Sequence, residues 1–260
     1  MAIQYAPDAR SKANRLSKRT TYDAPLIHSL INSCPILHVS FNAPLSESQD
    51  SQTQFPTILP MLGAIGTFPS SSSVEDGAEP HLYLHGSSAA RLFKLTPQGG
   101  LPLCIAATHV DGYVLALAPF HNSCNYRSAV VFGLGSPLTD PAEIEFALKL
   151  ITNNSIPSRW ENSRHPPTKA EITSTGILKV RIETASAKVR TGGPSDDRAD
   201  LKDEALVGRT WTGVVPMYSV LGTPMESEYN KVKVVPEYLG EWVEDANSMA
   251  EQVAVDAVEG

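Results

Sequence analysis

Cysteine is scarce: Cys34, Cys104 and Cys124 are the whole complement, and they share neither a disulfide framework nor a metal-ligand spacing. That excludes a disulfide-braced scaffold and a zinc cage, and it fits buried thiols in a reducing compartment. No run of about 18 apolar residues occurs, so no membrane-spanning helix is expected. Net positive charge is lacking too. The formal charge is −7, which argues against a general affinity for nucleic acid or an anionic membrane. The first residues carry Arg10, Lys12, Arg15, Lys18 and Arg19 but no apolar stretch of the kind a secretory signal needs, so the expected location is cytoplasmic. What remains is a 260-residue chain that is 42% hydrophobic, enough to bury a substantial core.

The pattern along the chain is β-rich with a few helices. Residues 1–20 read as a flexible arm, 21–220 as the folded domain, and 221–260 as an acidic C-terminal extension. Asp23 with Pro25 starts a short helix that Pro35 ends. Leu37, Val39 and Phe41 alternate with His38 and Ser40, as in a half-buried strand. Residues 42–56 and 69–80 are rich in polar and turn-forming residues and read as long solvated loops. Between them Thr57 to Ala64 forms a strand in which Pro60 marks an edge, a bulge, or a stretch whose amides face a ligand. His81 to His85 alternates again, and Gly86 turns the chain into a helix that Ser87 or Ser88 caps and that runs through Leu95. Asp111-Gly112, flanked by two apolar runs, predicts a two-residue hairpin. Tyr126 to Leu134, Ile177 to Glu183 and Ser186 to Arg190 complete the strands. Asp140-Pro141 followed by Glu143 predicts a capping box at the start of an amphipathic helix, and Thr168 with Glu171 predicts another helix start. Many short strands with few helices suggest a barrel.

Three stretches carry candidate chemistry. At His85, Gly86, Ser87, Ser88 and Arg91 a strand ends, a glycine turns, and hydroxyls and a guanidinium stand at a helix start. That set suits a phosphate clamp and equally an ordinary serine-capped helix. Tyr126, Arg127 and Ser128 open an apolar strand in which Arg127 requires either an anion or a watery edge. Lys188 and Arg190 precede a Gly192-Gly193 turn and suit either an anion or a solvated face. His81 and His85 share a strand face, but no third ligand completes a metal site. His121, near Ser123 and Asp111, lacks the Gly-x-Ser-x-Gly turn of a hydrolase.

Taken in order, several motifs resemble the flavin mononucleotide (FMN)-binding split barrels of the pyridoxamine 5′-phosphate oxidase superfamily, in the branch related to nitroimidazole-resistance proteins. They are Leu82-Tyr83-Leu84-His85-Gly86-Ser87, Phe120-His121-Asn122-Ser123, Asn125-Tyr126-Arg127-Ser128 with Val130-Val131-Phe132-Gly133, and Ser186-Ala187-Lys188-Val189-Arg190-Thr191-Gly192. The resemblance implies a β-rich α+β fold built on a six-stranded split barrel with flanking helices. It also implies a homodimer with FMN at the subunit interface. In such a protein His85 to Arg91 would hold the phosphate, with Arg91 as the main cation. Thr57, Ile58, Leu59, Pro60 and Met61 would lie along the ring. Tyr126, Arg127 and Ser128 would reach the cofactor from the other subunit, Lys188 and Arg190 would approach it late in the chain, and His121 would serve as a proton donor. Ala90 departs from the family, which often has serine before the helix arginine, so one phosphate donor is missing.

The function this implies is an FMN-dependent oxidoreductase passing electrons from a reduced donor, such as a nicotinamide nucleotide, to a small organic acceptor or oxygen. The alternatives are a non-catalytic flavin or haem carrier or sensor, and pyridoxamine 5′-phosphate oxidation. The sequence offers no second phosphate clamp for the last of these.

Overall fold

A computed structural model of the chain describes residues 3–42, 55–69, 79–95 and 99–260. The two loops expected at 42–56 and 69–80 fall largely outside these residues. The elements are β1 (Thr20–Thr21), α1 (Ala24–Ser33), β2 (Leu37–Phe41), β3 (Thr57–Gly66), β4 (His81–Ser87), α2 (Arg91–Lys94), β5 (Leu101–Leu115), β6 (Ser123–Pro137), α3 (Pro141–Ser155), α4 (Lys169–Ser174), β7 (Thr175–Arg190), α5 (Glu204–Arg209), β8 (Gly213–Pro216) and α6 (Glu237–Glu259). No helix among the described residues is long and apolar enough to cross a membrane.

The chain divides into two compact units: residues 1–108 with 128–187, and residues 109–127 with 188–260. In the first unit the strands follow the order β7-β4-β3-β2-β5-β6, and a further β6–β7 pairing closes them into a six-stranded barrel. Alternation explains the closure. Leu37, Val39 and Phe41 of β2, Leu82 and Leu84 of β4, Leu103 and Ile105 of β5, Val131 of β6 and Leu178 and Val180 of β7 all point inward and form one core. α1 adds Ile27, Leu30 and Ile31. It starts where Asp23 accepts the Leu26 amide at 3.0 Å, as the sequence predicts.

Pro60 lies opposite His38 of β2, on a part of β3 beyond its pairing with β4, which runs from Leu62↔His85 to Gly66↔His81. Its missing N–H therefore interrupts no ladder on that side.

Three local expectations are corrected. Asp111-Gly112 makes no hairpin: β5 runs straight through both. The Asp111 carboxylate is taken by Arg127, and Gly112 lies against β8, where a Cβ would come within 2.9 Å of the Val215 carbonyl. Asp140 caps α3 by accepting the Ala142 amide at 3.2 Å, but Glu143 closes no capping box. It turns inward to accept from the buried Tyr83 hydroxyl at 2.7 Å and to pair with Lys179 at 2.7 Å. Burial alone would raise the Glu143 carboxyl; the bonds from Lys179 and Tyr83 outweigh it and hold that carboxyl below the ordinary range. The helix expected from Ser87 or Ser88 to Leu95 is only the four residues of α2, with Ala90 at its cap. The capping box at Thr168 and Glu171 is present.

In the second unit β8 pairs with β5 from Gly112↔Pro216 to Leu115↔Gly213. α6 places Ala254 and Ala257 in the interior. The composition of residues 221–260 predicts an acidic extension. Leu239, Trp242, Ala246, Ala250, Val253 and Ala257 nevertheless stand at helical spacing.

Candidate functional site

The outer face of the barrel sheet in the first unit is the candidate site. On β2 and β3 the residues that do not enter the core point outward, and the register sets them side by side. His38 lies between Pro60 and Ala106, and Ser40 lies between Ile58 and Cys104. On β4 His85 stands opposite Leu62. His38, Ile58 and Pro60 are exposed, although apolar groups dominate the row. Apart from Ile58 and Leu62 the side chains are small or flat, so the row forms a shelf rather than a ridge. Beyond Ser40 and Cys104 the shelf dips into a depression of about 280 Å³, also lined by Phe41, Pro102 and Phe132. The Arg10 guanidinium lies 5.8 Å from the Phe132 ring centroid and is held by Asp8 at 2.6 Å and Glu183 at 2.9 Å.

Of the five β3 residues expected along a ligand, Ile58 and Pro60 present side chains to the shelf. Met61 is buried in the core and Leu59 packs against it. Thr57, at the start of β3, lies opposite Phe41.

The turn after β4 is built around two facing glycines. Gly86 lies opposite Gly176 of β7, and a Cβ on either would collide with the ring of Phe93, at 3.1 Å and 2.6 Å respectively. The pair forms a slot for Phe93, which fixes α2 against the sheet and so fixes Arg91 at its start. Gly176 carries no local signal; only the register reveals it. The amides of Ser88 and Ala90 bond to the carbonyls of Ser174 and Ser87, at 2.9 Å each. The Ser88 hydroxyl donates to the Thr173 carbonyl at 3.0 Å, and the Ser87 hydroxyl oxygen accepts from the Ala89 amide at 3.3 Å. The turn is thus bonded both within itself and to α4, and its outward-facing charge is Arg91, which is exposed. Burial lowers the pKa of half-buried His85, leaving its imidazole neutral at physiological pH.

The remaining candidates, apart from Ser128, lie in the second unit. Arg127 makes a two-pronged pair with buried Asp111, at 2.9 and 2.8 Å, which meets its need for an anion within the chain. Arg190 is buried and donates to Asn125 and to the carbonyls of Gly192 and Gly193. Asn125 in turn donates to the Ala257 carbonyl at 2.8 Å. This arginine therefore ties a turn and the end of α6 together. His121 lies 3.2 Å from Asp197 with the Phe120 ring edge-on to it. Tyr126 and Lys188 are half-buried, as is Ser128 in the first unit. Among the described residues no group of three or more His, Cys, Asp or Glu side chains could hold a metal ion.

Comparison with known proteins agrees with the barrel. A family model described as Pyridoxamine 5′-phosphate oxidase matches residues 23–189, and the chain belongs to that family. Among solved structures, the flavocytochrome Anf3 from Azotobacter vinelandii is 27% identical with a TM-score of 0.72, covering 92% of this chain and 98% of that one. An FAD and heme binding protein from Mycobacterium smegmatis is 24% identical with a TM-score of 0.66, covering 86% and 97%. A 5-nitroimidazole antibiotic resistance protein from Bacteroides thetaiotaomicron, itself described as putative, is 18% identical with a TM-score of 0.46, covering 65% and 86%. No curated protein matches the chain.

Proposed function

We propose that this protein binds a flavin nucleotide on the shelf formed by β2, β3, β4 and β5 and serves electron transfer from a reduced donor to a small acceptor. The observation that carries this reading is the row His38–Pro60–Ala106 beside Ser40–Ile58–Cys104: a flat, mostly apolar sheet face left partly open to solvent. A soluble barrel ordinarily covers such a face or makes it polar. The donor set fits a flavin. A planar ring can stack on small and flat side chains, and beside Ile58 and Leu62 this shelf offers proline, alanine, serine, cysteine and the His38 ring. Arg91 offers a charge-assisted contact to a phosphate. Neutral His85 can accept a proton, and the small side chains leave strand backbone accessible to the ring's edge. When bound, the flavin would supply the redox chemistry and the protein its placement and electrostatics. A homodimer in which each site borrows groups from the partner, FMN as the form of flavin, and a nicotinamide nucleotide as donor complete the reading.

The test is direct. Purified protein should carry a flavin absorption spectrum, or acquire one on reconstitution, and mass spectrometry of the released cofactor separates FMN from FAD. Arg91→Ala should weaken flavin binding about 10- to 100-fold, the equivalent of losing one hydrogen bond to a charged group. A protein that takes up neither flavin after reconstitution sinks the reading.

A second reading, in which haem is bound as well, is favoured by the likeness to a flavocytochrome over 92% of the chain, well outside residues 23–189. His38 and neutral His85 on the shelf are the imidazoles to examine, because the neutral ring is the form that ligates iron. A Soret band on adding hemin, lost in His38→Ala or His85→Ala, would support it. Absence of that band removes haem and leaves the flavin reading standing.

A further inference from the structure

Behind its N-terminal segment the first unit holds a cavity of about 680 Å³. It is larger than the depression beside the shelf and within the range of about 300–1,000 Å³ usual for small-ligand sites. Residues 3–5 form one wall, because backbone bonds pin them to the start of α1. The Ile3 carbonyl accepts the Ala24 amide at 3.0 Å, the Tyr5 amide donates to the Tyr22 carbonyl at 2.9 Å, and Gln4 bridges to Asp23. α1 supplies the second wall through Ala24, Pro25 and His28; Ala24 and His28 lie one turn apart on one helix face. Ile182 of β7 and Pro80 add apolar surface. Pro80 directly precedes β4, and His85 stands five residues further along, roughly 17 Å away. The cavity is therefore distinct from the shelf.

Polar groups converge within this largely apolar lining. The Tyr5 hydroxyl bonds to His28 Nε2 at 2.6 Å, and the two rings lie 5.8 Å apart. Whichever way that bond runs, the Tyr5 oxygen keeps a lone pair. Burial, and after it the negative charge of nearby Glu79, raises the Tyr5 pKa to about 12, so the hydroxyl stays protonated. Burial outweighs the charge of Asp23 and lowers the His28 pKa, leaving its ring neutral at physiological pH. The charge on the lining is thus the Glu79 carboxylate. Among the described residues no lysine or arginine lines the cavity, and no cation pairs with Glu79. An anion entering here meets repulsion without a counter-charge. A cation meets a carboxylate, a phenol oxygen and an aromatic ring. We propose that this cavity binds a small hydrophobic amine, its ammonium group held between Glu79 and the Tyr5 hydroxyl and its apolar body packed against Pro25 and Ile182. The site goes beyond the flavin reading and does not depend on it.

Calorimetric titration of the full-length protein, with and without added flavin, tests the site with three matched probes: phenethylamine, phenethyl alcohol and phenylacetate. The amine should bind about five-fold more tightly than the alcohol, the scale of one partly exposed ion pair, and phenylacetate more weakly than either. Glu79→Gln should erase the amine's advantage and leave the alcohol's affinity unchanged. Thr67→Trp enlarges an exposed position on the cavity's lining. It should block both amine and alcohol while flavin content stays at the wild-type level. In amide NMR spectra, phenethylamine should shift the resonances of Tyr5 and His28. Failure of all three probes to bind, or phenylacetate binding as tightly as the amine, would overturn the site. So would an amine advantage that survives Glu79→Gln, binding untouched by Thr67→Trp, or shifts confined to residues 38–40 and 104–106. Flavin content, read on the same samples, reports separately on the shelf: a protein that takes up the amine but no flavin loses the flavin reading and keeps this one.

Discussion

The two units of this molecule are stabilised in different ways. In the first, large apolar side chains, Ile27, Leu30, Leu37, Leu84, Ile105 and Leu178 among them, fill a closed barrel, and the buried polar residues Ser11, Glu143 and Thr184 are few beside them. In the second, the buried set is Val114, Ala116, Leu117, Ala254 and Ala257 together with Asp111, Asn125 and Arg190, while Trp211, Met225 and Tyr229 remain outside. The barrel rests on hydrophobic burial at about 25 cal/mol per Å². The second unit rests on a few polar groups whose bonds all have to be made at once. A self-sufficient core tolerates an open shelf on its outer face, whereas a unit with few buried apolar side chains depends more on its polar network.

The largest effect separating the units should come from Leu84→Ala. It removes a fully buried side chain from the barrel core, and such truncations cost about 2–5 kcal/mol. Urea denaturation should show a loss toward the upper part of that range, because the barrel closes on all sides of the cavity. Arg190→Ala comes next, at about 1–3 kcal/mol, because it leaves Asn125 and the carbonyls of Gly192 and Gly193 without their donor. Hydrogen exchange read by mass spectrometry distinguishes where each loss falls. Arg190→Ala should loosen peptides from 113–127 and 250–260 while 82–84 and 101–107 stay protected. Equal loosening of both sets would show that the polar network and the barrel are one cooperative body.

The same contrast explains how much was legible beforehand. Strand alternation in β2, β4 and β7 is a direct imprint of a core on one face, so the barrel strands could be read residue by residue. α1 could be read because Asp23 and Pro25 act locally. Asp111-Gly112 misled because its local preference for a turn is overridden by partners distant in sequence: Arg127 for the carboxylate and β8 for the glycine. Glu143 misled for the same reason, since a Tyr83–Lys179 pair outcompetes the helix end for its carboxylate. Arg127 and Arg190 signalled that anions or acceptors were needed, but not that Asp111 and Asn125 supply them. On the shelf, Thr57 to Met61 stands out in the sequence as one run, without the division that sends Ile58 and Pro60 outward and Leu59 and Met61 to the core. His38, Ala106 and Cys104 became its neighbours only once the register was known. α6 is legible only in its periodicity, because the apolar stripe from Leu239 to Ala257 is interspersed with acidic residues and Gly240.

A smaller, pH-dependent difference follows from the histidines. Burial lowers the pKa of His28, His81 and His85, and all three belong to the first unit. A histidine whose folded pKa lies below its unfolded value of 6.5 is protonated first in the unfolded chain. Its contribution to stability is therefore complete above pH 6.5 and is lost as the pH falls from there through the folded value. Below pH 4.5 Glu143 adds to the loss, because its lowered carboxyl must take up a proton that the unfolded chain accepts earlier. These side chains are partly exposed and screened, so the histidine contribution is small. The melting temperature should decline gently as the pH falls below 6.5, with exchange in barrel peptides rising first. His28→Phe should flatten part of that decline, since the Tyr5 hydroxyl, whose pKa burial raises to about 12, bonds to the neutral ring at 2.6 Å. A decline that begins in peptides of the second unit would place the acid-sensitive element in the polar network and reverse the comparison.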